Sequence, residues 1–139
     1  MELSYLLFTG ALSGLISALG HSVLWSAMGL LSPSAQAHAF APNATVEILE
    51  ILLHMCAGTA LGFLFWLSWG LAAVVDVSWW VRGLSFGSLC WLALALPTTI
   101  SVAMIQRMSP AAAASTASKW ATTCVIAGLS CAWSWEGVM

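Results

Sequence analysis

Charge is what this sequence has least of. Three Lys/Arg and five Asp/Glu stand among 139 residues, 6% of the chain, against 61% hydrophobic residues. A soluble globular domain carries roughly 25% charged residues, so this chain has too few to keep a surface wet. It has no basic patch able to neutralise a phosphate backbone, which sets aside a nucleic-acid partner. No CxxC pair occurs although there are four cysteines, and all four lie in apolar runs, where a thiol acts as a small packed hydrophobe. There is no nucleophile elbow, no HExxH and no phosphate-cradling glycine loop, so no hydrolytic or transfer enzyme stands out. No segment alternates like a barrel strand, and open backbone does not survive in lipid.

What remains is helix. A bilayer crossing takes about 20 mostly apolar residues, and four stretches approach that: about 3–31, 48–75, 83–106 and 117–136. Nine Trp and eleven Gly suit a membrane bundle, with Trp at the headgroup level and Gly inside helices. Before the fourth stretch, Ser109 is placed to cap and Pro110 to occupy the first helical position, so that helix is expected to start near Pro110. The long stem of Lys119 is expected to reach back toward water. The fold expected is an all-α integral membrane protein, a single four-helix transmembrane bundle with short connections, multi-pass in the cell membrane.

The triplets Ala35–Ala37 and Ala37–Ala39 resemble small-x-small cleavage sites. The run before them is too long for a signal peptide and lacks a basic start, so it reads as a retained span. Basic residues are divided almost evenly between the two faces, so positive charge sets no orientation. We name the faces by their connections: side A carries 32–43 and 107–110, and side B carries both termini and 76–82. On side B, Asp76 and Arg82 with Trp79 and Trp80 read as headgroup-level anchors, and Trp133 and Trp135 as the same belt at the chain's end.

Small residues recur every four positions in each span. Gly10, Gly14 and Ala18 form one stripe, and His54, Gly58 and Gly62 a second. Gly83 and Gly87 form a third, and Cys124, Gly128 and Ala132 a fourth. Such stripes let backbones approach closely in lipid, within one bundle or in a homo-oligomer or larger membrane complex. Pro97 removes an amide from the third span and frees the carbonyl of Ala93, with Thr98 and Thr99 at hand to satisfy it.

The ionisable groups are not spread evenly. All three histidines and two of the five acids fall in the side A half: His21, His38 in the connection, His54, Glu47 and Glu50. Glu47 and Glu50 sit in the first turns of a helix, where its dipole and free amides favour negative charge. His54 lies one turn beyond Glu50, and His21 lies on the first span's glycine stripe. Ionisable groups inside a bilayer are costly and mark a functional site by default.

Three uses are open. A transition metal can take His21, His54 and Glu50. A b-type haem can take His21 and His54 as axial ligands, with the neighbouring glycines making room. A proton or cation can pass through Glu47, Glu50 and His54, with Arg107 nearby to tune the charge. The leading expectation is a transporter-like or membrane-complex subunit moving a proton or cation, ahead of an electron-transfer subunit and of a structural or assembly role.

Overall fold

The computed structural model describes residues 3–31, 44–68 and 76–136, apart from the side chains at 21–22, 24–31 and 44–47. Four helices make up the fold: α1 (Leu3–Leu31), α2 (Ala44–Leu67), α3 (Trp79–Ile105) and α4 (Pro110–Glu136). No strand occurs among the described residues. Windows in α1, α2 and α3 have mean hydropathies of 1.6, 1.9 and 1.8, long and apolar enough to cross a bilayer. The α4 helix matches them in length, at 27 residues, but its first half is Ala, Ser and Thr with Lys119.

Burial is inverted relative to a soluble protein. Ser13, Ser17, Thr123 and His54 are inside, while Phe8, Leu49, Leu52, Leu89, Met104 and Ile105 face outward. This is the arrangement lipid favours, and the chain is a multi-pass integral membrane protein.

Two antiparallel pairs, α1 with α2 and α3 with α4, are the closest contacts, and α4 also packs on α1 and α2. Glycine is why the pairs are so close. A Cβ on Gly10 would strike the carbonyl oxygen of Gly58, and one on Gly14 the carbonyl oxygen of His54. In the second pair, a Cβ on Gly87 would lie 2.6 Å from the carbonyl oxygen of Cys124. The four stripes are therefore used inside one chain, and they are not left over as faces for an oligomer.

The α2 helix begins at Ala44 and α3 at Trp79, each about a turn before the expected stretch, so Glu47 and Arg82 fall inside the helices. Arg82 is also a correction in position: it is buried, at 5% exposure, beside Gly83, and is not a surface anchor. Asp76 and Trp80 are exposed as expected. At the start of α4 the Ser109 hydroxyl accepts from the Ala112 amide at 3.3 Å, with Pro110 next to it, so the cap is formed.

Within α3, residues Trp91–Ala95 widen into a π-helical turn, and the Leu96 amide donates to the carbonyl of Trp91, five residues back. Pro97 follows directly. The threonines do bond backbone carbonyls, but of Leu94 and Ala95, and not the expected Ala93. The wider turn has moved the accounting by a residue or two. The side B half is closed by aromatic packing: Phe65 meets Phe86 edge-on at 5.0 Å and Trp135 at 6.0 Å. Trp135 is thus partly a core residue, while Trp133 faces outward. Glu50, His54 and Lys119 lie together in the other half.

Candidate functional site

The site forms where α1, α2 and α4 meet. The α2 and α4 helices run parallel there, and two contacts repeat one offset. The Lys119 ammonium donates to Glu50 Oε1 at 2.5 Å, and His54 Nδ1 lies 2.8 Å from Thr123 Oγ1, both pairs being 69 residues apart. Each helix thus presents a polar pair at i and i+4, on one face and one turn apart. The parallel register lays one pair along the other. From α1, Ser17 Oγ comes to 2.9 Å from Thr123 Oγ1. The His54 ring packs against Trp120, centroids 4.8 Å apart and tilted by 32°.

Thr123 is the hub. Its hydroxyl has one proton and three neighbours, the third being the carbonyl of Lys119 at 3.1 Å, which can only accept. One assignment satisfies all three contacts. Thr123 donates to that carbonyl and accepts from Ser17 and from His54 Nδ1–H. The imidazole's other nitrogen, Nε2, is then its open acceptor, and it faces Glu50 Oε1 at 3.9 Å. That distance is too long for a hydrogen bond and short enough for strong electrostatic coupling. Protons here are assigned from the bonding pattern.

The burial of these groups is graded. His54 is 4% exposed and Thr123 fully buried, while the side chains of Glu50 and Lys119 are 41% and 31% exposed. The ion pair is the rim and the histidine the floor. Thr123→Val removes the hub, and we expect it to cost about 1–2 kcal/mol in a detergent-unfolding titration. Thr123→Ser should restore most of that loss. Equal stability of the valine and serine variants would show that the hydroxyl bonds nothing.

Of the expected residues, Glu50 and His54 come together. His38 and the side chains of His21 and Glu47 lie outside the described residues. The backbone position of residue 21 in α1 is described. Gly14 of α1 backs onto His54, and position 21 lies two turns further along, about 10 Å toward side A. Among the described residues, no three of His, Cys, Asp and Glu gather as a metal site. Arg107 lies in the α3–α4 turn, as expected, and lines a groove between those two helices.

Sequence reasoning missed Lys119 as a partner and missed Thr123, Ser17 and Trp120 altogether. A signal was present: Lys119 and Thr123 repeat the four-residue spacing of Glu50 and His54, with opposite charge at the matching position. No known protein family, curated protein or solved structure matches this chain.

Proposed function

We propose that the protein moves protons through the membrane by way of Glu50, Lys119 and His54, with His54 Nε2 as the group that takes up and releases the proton. One observation carries this reading: a buried imidazole, held at Nδ1 by Thr123, turns its other nitrogen toward a carboxylate–ammonium pair at the rim. The pair keeps the rim near neutral, so a proton arriving at Nε2 adds a net positive charge there. Glu50 stabilises that step from 3.9 Å.

The same geometry favours a proton over a metal cation. Lys119 already occupies Glu50 Oε1, so a cation taking that oxygen must displace an ammonium, whereas a proton taken up at His54 Nε2 displaces nothing. Beyond His54, hydroxyls continue toward side B along the facing surfaces of α1 and α4. Ser17 is bonded to Thr123, Ser13 is buried one turn away, and Thr9 receives the Ser134 hydroxyl at 3.5 Å. Residues four apart on a helix rise about 6 Å, a gap that one water molecule can bridge. This seam supports a path that continues through the bundle.

The test is flux. Purified protein in vesicles holding a pH-sensitive dye, under a potassium diffusion potential, should acidify or alkalinise the lumen faster than protein-free vesicles. Glu50→Gln and His54→Ala should each slow this by about tenfold or more, equivalent to roughly 1.4 kcal/mol on the limiting barrier. Parental rates in both variants, or no flux above protein-free vesicles, would remove the proposal.

A further inference from the structure

A groove of about 510 Å³ lies away from the histidine, between the second half of α3 and the first half of α4, lined by Leu96, Ile100, Met104, Ala113 and Ala117 with Arg107 at the turn. Its volume falls in the range of small-ligand clefts, roughly 300–1,000 Å³. Its origin is visible in the helices. Toward side B, α3 and α4 are pinched together at Gly83 and Gly128. The groove begins directly after the π-helical turn, at Leu96 beside Pro97.

Its chemistry is one-sided. The lining is apolar except for Thr99 and Arg107, and the Thr99 hydroxyl is already committed to the carbonyl of Ala95 at 2.7 Å. An occupant therefore meets hydrocarbon along the groove and one guanidinium at its end. Arg107 is also placed in an unusual way. The end of α3 is a Schellman turn, in which the Met108 amide donates to the carbonyl of Ala103 at 3.0 Å and the Arg107 amide to that of Met104 at 3.4 Å. The residue at the left-handed position is usually glycine. Here it is Arg107, with φ of 51°, the only such non-glycine among the described residues. A side chain at that position is strained, and strain of this kind accompanies function where the side chain is needed.

We propose that this groove binds an anionic phospholipid, with an acyl chain along Leu96, Ile100, Met104 and Ala113 and the headgroup phosphate on Arg107. A guanidinium matches phosphate in charge and in its paired donors, and it sits at the membrane–water level where headgroups lie. The site is separate from the Glu50–His54 group and does not depend on the proton reading.

Native mass spectrometry of the protein, taken from vesicles of mixed phosphatidylglycerol and phosphatidylcholine, tests it. The parent should retain phosphatidylglycerol preferentially. Arg107→Gln should retain the two lipids in the proportion supplied, and Ala113→Phe, which fills the groove, should lose the bound lipid. Leu52→Phe, on the outward face of α2, should behave as the parent. An unaltered preference in Arg107→Gln overturns the proposal, as does full retention in a folded Ala113→Phe variant. Disulfide-linked dimers through Ala114→Cys would instead place a second copy in the groove, and would overturn it too.

Discussion

Gly58→Val is expected to be the most damaging single substitution in this protein. A Cβ at position 58 would overlap the carbonyl oxygen of Gly10 and lie 3.1 Å from the amide nitrogen of Gly14. Both obstacles are backbone, so no side chain can swing aside and α1 must move away from α2. Overpacking of this kind costs about 3 kcal/mol, and more where the backbone cannot yield. Gly14→Val should behave alike, because its Cβ would meet the carbonyl oxygen of His54. Gly20→Ala is the contrast. Among the described residues nothing lies within 4 Å of its Cβ, so the change should be neutral or should stabilise α1 by about 0.5–1 kcal/mol. Denaturant titration of the three variants in detergent decides the matter. Parental stability for Gly58→Val would mean that α1 and α2 do not meet through these glycines.

The second large effect belongs to the Glu50–Lys119 pair. Lys119→Met strands a carboxylate at the edge of the hydrocarbon, and Glu50→Gln strands an ammonium. The two side chains are about a third exposed, between the regimes of surface and buried ion pairs. Each single change should therefore cost about 1–3 kcal/mol. Lys119→Met should be the worse of the two. A stranded lysine can extend its stem toward water, whereas a glutamate has little reach. The double variant, Glu50→Gln with Lys119→Met, should recover most of the loss, since neither charge is then left alone. Additivity of the two single effects to within about 0.5 kcal/mol would show that the residues are not coupled.

Much of the fold can be read from local pattern. The glycine stripes at 10/14 and 58/62 are visible because helical spacing puts residues four apart on one face, and close packing needs small residues there. The Ser109 cap and Pro110 start are equally local. So is the pairing of Glu50 with His54 on one face of α2. Arg82 was misplaced for the opposite reason: its charge suggests water, but its burial depends on which helix covers it. Trp135 likewise looks like a belt residue until Phe65 is found against it.

Membrane residence, helical structure and the small-residue face of each helix were determined by the sequence alone, because scarce charge and four-residue periodicity act within a single segment. The seating of α4 against both α1 and α2, in parallel register with the latter, was decided only by tertiary packing. That register brings Lys119 to Glu50 and Thr123 to His54. Periodicity fixes which side of a helix faces inward, but it carries no information on how far one helix slides along another that is not its neighbour in the chain. The axial offset is set by the whole packed interface, and the chemistry of this site depends on it.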